Sequence, residues 1–279
     1  MKEIIFSIAI EASAEKVWFS LWNKTNYENW TSIFSQGSYA ISEWTKDSKI
    51  HFLMPTGDGM FSEITELIPN QQISFQHKGE IKGFEEQEIK NEWSDSKESY
   101  FLSEENNKTI LKAALTIDEK WQEFFDTTFP KALEKVKNDA ENNLIKTITV
   151  QTLIDKSLAE VWDKYTQPEH VVNWNFASDD WHCPKAENDL KNGGTFSYTM
   201  ASKDNSMSFN LKGTYTEVVP HNKLNFYLED NRKVYTDFKV FDNKTLISVT
   251  FEPENENSIF LQRDGWQSIL NNFKKYLIN

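Results

Sequence analysis

The chain has 279 residues, with 43 Asp plus Glu against 30 Lys plus Arg, a formal charge of −13, ten Trp and one Cys. That charge removes the electrostatic basis for holding phosphate backbones, which needs clustered Lys and Arg, so nucleic acid is excluded as a partner. With 38% hydrophobic and 14% aromatic residues the chain can build a real core, and its lone thiol, Cys183, cannot form an intrachain disulfide, which points to a reducing, cytoplasmic setting.

Glu3 to Glu11 alternates apolar and polar residues, as a strand covered on one face does. The same segment, followed by Ala12-Ser13-Ala14, superficially resembles a secretory signal. Two acids, Glu3 and Glu11, interrupt it, and its apolar run is short. No stretch approaches the roughly 20 apolar residues of a membrane span, so membrane insertion is not expected. Ser13 stands at an N-cap position for a first helix, and Thr25 opens a second short one. Period-two alternation then places Ile50, Phe52 and Met54 on one face, followed by Met60, Ser62 and Ile64, then Ile73, Phe75 and His77, then Leu111, Ala113 and Leu115. Trp121, Phe124, Phe125 and Phe129 form the apolar stripe of a closing helix that runs past Pro130 to about Asn142.

The second half repeats the first. Ser13-Ala-Glu-Lys-Val17-Trp18 recurs as Ser157-Leu-Ala-Glu-Val161-Trp162, and Trp30 as Trp174, at a constant offset of 144. Met54 matches Met200; Glu66, Pro69, Ile73 and Phe75 match Glu217, Pro220, Leu224 and Phe226; Thr109 matches Thr245; Trp121-Gln122 matches Trp266-Gln267. Pro168 opens the second short helix of this copy, and Trp266, Ile269, Leu270, Phe273 and Leu277 form its final stripe. A period this long is no solenoid, so each copy should carry its own core. The expected domains are 1–143 and 144–279, meeting near Asn143 and Leu144. Charge divides unevenly: the first has 25 acids and 15 Lys with no Arg, net −10, and the second 18 acids and 15 bases, net −3.

The fold class is therefore α+β. Each domain is a curved antiparallel sheet of about seven strands wrapped around a long C-terminal helix, with two short helices after the first strand. This order, with Val161-Trp162, Trp181-His-Cys-Pro-Lys-Ala186, Gly193-Gly194-Thr-Phe-Ser-Tyr198, Gly213-Thr-Tyr-Thr-Glu217, Arg232, Phe251-Glu-Pro253 and Gln262-Arg-Asp-Gly-Trp266-Gln-Ser-Ile-Leu270, resembles the helix-grip or START-like (SRPBCC) superfamily. Within it, the chain is similar to the family of the C-terminal domain of the activator of heat-shock-protein-90 ATPase. The second copy is the closer match; the first has Asp47-Ser48 where the second has paired glycines, and lacks its arginines. The resemblance implies a deep cavity between helix and sheet, used for apolar small molecules or, in some members, for cyclase or hydrolase chemistry. It also implies a chaperone partner, for which the chain shows no motif.

No phosphate loop is present, and no cofactor or metal is expected. His182-Cys183 is the one His/Cys pair, and adjacent strand residues point to opposite faces, which reads as a structural His beside a small buried thiol. His77 replaces the Leu228 of the other copy on the cavity face, either as a strand-end or hydrogen-bonded core His or as a polar anchor for a ligand. His51, on the opposite face, reads as solvated. Glu66 and Glu217 share the cavity-facing phase and are weighed as acid/base groups against a solvated role at a strand end. Arg232 and Arg263 read as partners of sheet acids rather than of a ligand carboxylate. The helix tryptophans, Trp18, Trp162, Trp121 and Trp266, read as core.

The balance favours a binding protein over an enzyme: an apolar small molecule or lipid held between sheet and helix. The alternatives are a protein-interaction module or chaperone ATPase regulator, and a cyclase- or hydrolase-like enzyme. The expected pocket lining is Phe52, Ile64, His77, Trp121 and Phe125 in the first copy, and Tyr198, Tyr215, Phe226, Trp266 and Phe273 in the second, with no catalytic residue assigned.

Overall fold

A computed structural model describes residues 1–88, 96–142, 144–241 and 243–278. The chain divides into two compact units, Met1–Ile145 and Lys146–Asn279. Asn143, named at the expected boundary, lies outside the described residues. No described helix is long and apolar enough to cross a membrane.

In the first unit β1 (Lys2–Ile10) leads into α1 (Ala14–Trp22) and α2 (Lys24–Thr31). Then come β2 (Tyr39–Ser42), β3 (Lys49–Leu53), β4 (Gly59–Ile68), β5 (Gln72–Lys82), the two-residue β6 (Glu85–Glu86), β7 (Lys97–Glu105) and β8 (Lys108–Ile117) before α3 (Gln122–Glu141). The sheet order is β1-β8-β7-β5-β4-β3-β2, with β6 paired to β5, and every pairing is antiparallel. The second unit repeats this with β9 (Ile148–Ile154), α4 (Leu158–Thr166), α5 (Pro168–Val171), β10 (Trp181–Asn188), β11 (Thr195–Ser202), β12 (Ser208–Val219), β13 (Lys223–Leu228), β14 (Lys233–Phe241), β15 (Lys244–Phe251) and α6 (Ile259–Ile278), in the order β10-β11-β12-β13-β14-β15-β9. Each unit's first strand thus lies beside its last, and the long helix packs along it.

Local chemistry sets the helix starts. Ser13 and Ser157 are extended, and their Oγ atoms accept from the N–H of Lys16 and Glu160 at 3.4 and 3.3 Å. Each satisfies a donor that the first turn leaves without a partner. Ser13→Ala and Ser157→Ala are each expected to cost about 1 kcal/mol, read as lower melting temperatures with an unchanged circular dichroism spectrum. In α3 the stripe Phe129, Ala132, Leu133, Val136 and Ala140 is buried. Asp139, also buried, accepts from Nδ2 of Asn26 and Asn29, both at 3.1 Å, which ties the helix to α2. Ahead of Pro130 the helix is different: Phe124 stays 40% exposed, and Trp121, in a single 3-10 turn before α3, is 51% exposed. The expectation that Trp121 is core gives way here, because the sheet has nothing packed beneath this end of the helix; Trp18 and Trp162 are buried as expected.

Two further expectations are corrected. Glu66 and Glu217 do not face the interior: each follows a β-bulge, between Ile64 and Glu66 and between Tyr215 and Glu217, whose extra residue reverses the alternation. Glu66 pairs with Lys46 Nζ at 2.7 Å, and Glu217 accepts from Asn225 Nδ2 at 2.8 Å, both on the outer face. His51 is buried rather than solvated, because β6 folds over the outer face of the sheet and brings Glu86 Oε1 to 2.6 Å from its Nε2.

Candidate functional site

The first unit contains a cavity of about 640 Å³ beneath the N-terminal half of α3. Its wall is mostly apolar and aromatic. Trp22 supplies the central ring, with centroids 5.0 Å from Tyr100 and 5.5 Å from Phe75, and Phe52 packs edge-on to Phe75 at 5.2 Å. Trp121, Phe124 and Met1, all substantially exposed, stand at the rim.

One wall carries a polar cluster. His77 is buried and lines the cavity. Its Nδ1 is 2.8 Å from Ser62 Oγ, directly opposite on β4, and its Nε2 is 3.7 Å from Glu98 Oε2. Tyr100 donates its hydroxyl hydrogen to Glu98 Oε1. Burial pushes the His77 imidazole down to about 4, so it is neutral across the physiological range. Burial also holds the Glu98 carboxyl above the usual carboxylate range, although the Tyr100 hydrogen bond pulls the other way. The phenols of Tyr27 and Tyr100 are pushed well up by burial and by the Glu98 charge.

Of the five expected lining residues in this unit, Phe52, His77, Trp121 and Phe125 border the cavity. Ile64 is fully buried in the core and does not reach it. Sequence reasoning missed Glu98, Tyr100 and Trp22. The signal for the first was available: Glu98, Tyr100 and Leu102 alternate in phase, which puts a carboxylate on the inward face of β7.

The second unit carries the same frame with other side chains. Gly213 pairs with Leu228 where Ser62 pairs with His77. Register also sets Val234 opposite Phe226 and Phe251, as Glu98 is set opposite Phe75 and Leu115. A Cβ on Gly213 would come within 2.7 Å of the Phe196 ring, so the missing side chain is what seats that ring. Phe196 in turn packs on Tyr198, Tyr215 and Phe226 with centroids 4.9, 5.3 and 4.9 Å away. Trp266 stacks on Phe251 at 4.4 Å, and Phe273 packs on Trp174 at 4.8 Å. The five expected lining residues of this unit are therefore engaged with neighbouring rings.

Three further candidates have local partners. Cys183 is buried, its thiol pushed up to about 11 by burial, and donates weakly to the Lys185 carbonyl. Arg232 Nε donates to Asp230 Oδ2 at 2.6 Å, and Arg263 Nη1 lies 3.3 Å from Asp264 Oδ1. Among the described residues no group of three or more His, Cys, Asp or Glu could hold a metal ion.

Residues 155–278 match the family described as Activator of Hsp90 ATPase homolog 1-like protein. An AHSA1-like protein from Aeromonas hydrophila is 36% identical over 47% of this chain and 92% of its own, with a TM-score of 0.46. A protein from Cytophaga hutchinsonii is 43% identical over 46% of this chain and 90% of its own, with a TM-score of 0.43. The di-domain ARO/CYC StfQ from the steffimycin biosynthetic pathway aligns with 98% of this chain and 97% of its own at 10% identity and a TM-score of 0.39. No curated protein matches the chain.

Proposed function

The chain belongs, through its second half, to the Activator of Hsp90 ATPase homolog 1-like family, and from that premise we propose that its first half is a binding domain that holds one apolar small molecule between α3 and the sheet, without catalysis. The observation that carries this reading is the cavity of about 640 Å³, within the range of ligand pockets, lined by rings and provided with a few convergent polar groups. Ser62, the hydroxyl paired with His77, is buried and off the cavity wall, so that pair does not present a nucleophile to a ligand. The enzyme alternative keeps His77 as an acid/base group but loses Glu66 and Glu217, which lie on the outer face; Glu98, not foreseen from the sequence, is the carboxylate that lines the cavity. A cytoplasmic location belongs to the same proposal.

Native mass spectrometry and thermal shift against lipids, hydrophobic acids and aromatic metabolites test it. One equivalent bound with a raised melting temperature is expected, and no stabilisation by any compound would remove the reading. The family match at 155–278 supports a second reading, regulation of a chaperone ATPase by the second unit. It predicts that the chain changes the ATPase rate of an Hsp90-type chaperone, and an unchanged rate would exclude it.

A further inference from the structure

The polar cluster narrows the kind of molecule the cavity suits. Glu98 is a cavity-lining carboxylate in a mostly apolar wall, and among the described residues the side-chain hydrogen bond it accepts comes from Tyr100. A carboxylate has about four acceptor positions, and an ionised one left short of partners in an apolar site is costly. Among the described residues its immediate neighbours are uncharged, with His77 from β5, neutral and 3.7 Å away, Tyr27 from α2, Tyr100 from its own strand and Leu115 from β8, while the cavity lining also carries the acids Glu80 and Asp118. Among the described residues the cations of the cavity lining are Lys97, exposed and beside Glu98 in sequence, and Lys120, which lies 2.9 Å from Asp118. The unit as a whole carries net charge −10 and no arginine. In the second unit the position of Glu98 is taken by Val234, fully buried, so the carboxylate is not required by the frame.

We propose that the cavity selects an organic cation, an ammonium group on an apolar chain or ring, seated between the Glu98 carboxylate and the rings of Tyr27, Tyr100 and Trp22. This rests on the binding reading above and adds the charge of the head group to it. An ammonium supplies the missing counter-charge, and aromatic faces around it add cation–π attraction. A carboxylate head meets a like charge, and a neutral head leaves Glu98 without a counter-ion. Because burial holds the Glu98 carboxyl above the usual carboxylate range, lowering the pH neutralises it early and weakens the cation's hold.

The test is calorimetric titration of the whole chain with decyltrimethylammonium, 1-decanol and decanoate, each below its aggregation concentration, from pH 8 to pH 5. The ammonium is expected to bind at least tenfold more tightly than either of the others at pH 8, with the preference shrinking toward pH 5 while decanol affinity stays level. Glu98→Gln is expected to reduce the preference to twofold or less while keeping decanol binding. The wild-type pH series decides the matter even where that variant does not fold. Decanol or decanoate binding as well as the ammonium, or a preference unmoved by pH, overturns the cation proposal and leaves the binding reading standing. Failure of all three probes to bind overturns both.

Discussion

Replacing Leu115 by tryptophan is expected to lower the affinity for an apolar probe such as 1-decanol at least tenfold, while the first unit keeps its fold. Leu115 is buried on β8 and lines the cavity wall opposite Glu98. Its counterpart by register in the second unit is Phe251, whose ring stacks on Trp266 and fills the equivalent ground. The frame therefore accepts an aromatic side chain at this position. An indole occupies space that is open in the first unit, so the overpacking cost of a filled core, about 1–3 kcal/mol, is largely avoided. Fluorescence titration and melting curves would show the outcome. Unchanged affinity in a folded Leu115→Trp protein would mean that decanol binds elsewhere.

The second large effect concerns acid stability. His77 has an ordinary value of 6.5 and is held down to about 4 in the folded chain by burial. Between those two values the unfolded chain binds a proton that the folded chain does not. The associated stability is thus fully present above pH 6.5 and is lost as pH falls toward 4. At 1.36 kcal/mol per unit this amounts to about 3 kcal/mol in the first unit. In His77→Leu with Ser62→Ala, which removes the imidazole and the hydroxyl left facing it, this component should vanish. The variant should therefore lose about 3 kcal/mol less than the parent between pH 7 and pH 4 in urea titrations. The precedent for the exchange is internal, since Gly213 and Leu228 hold these positions in the second unit. Equal losses in the two proteins would show that His77 is able to protonate in the folded state.

The architecture was legible because it rests on short-range rules applied twice. The serine caps, the period-two strands and the repeated Val-Trp pair on α1 and α4 each announce a local conformation, and two copies reading alike reinforce one another. What could not be read depends on events one residue long. The bulges after Ile64 and Tyr215 reverse the face of Glu66 and Glu217, and nothing in the alternation marks where an extra residue enters. His51 was hidden for a related reason: β6 is two residues long and covers the outer face from a distance in sequence. The pocket itself depends on volume rather than pattern. Ile50 and Phe196 share one alternation position, as do Ile64 and Tyr215, and both pairs satisfy the same apolar requirement. Side-chain size, together with the glycine that admits Phe196, sets the ring cluster of the second unit apart from the cavity wall of the first. The family match falls on the second half, and the cavity of about 640 Å³ lies in the first.

The central claim is that an apolar ligand enters the first unit beneath α3. Backbone amide shifts of the ¹⁵N-labelled chain on titration with 1-decanol test it most directly. The prediction is a saturable set of shifts at one equivalent, centred on β5, β7, β8 and the N-terminal half of α3. Shifts confined to residues 146–279, or none at saturating decanol, would contradict it.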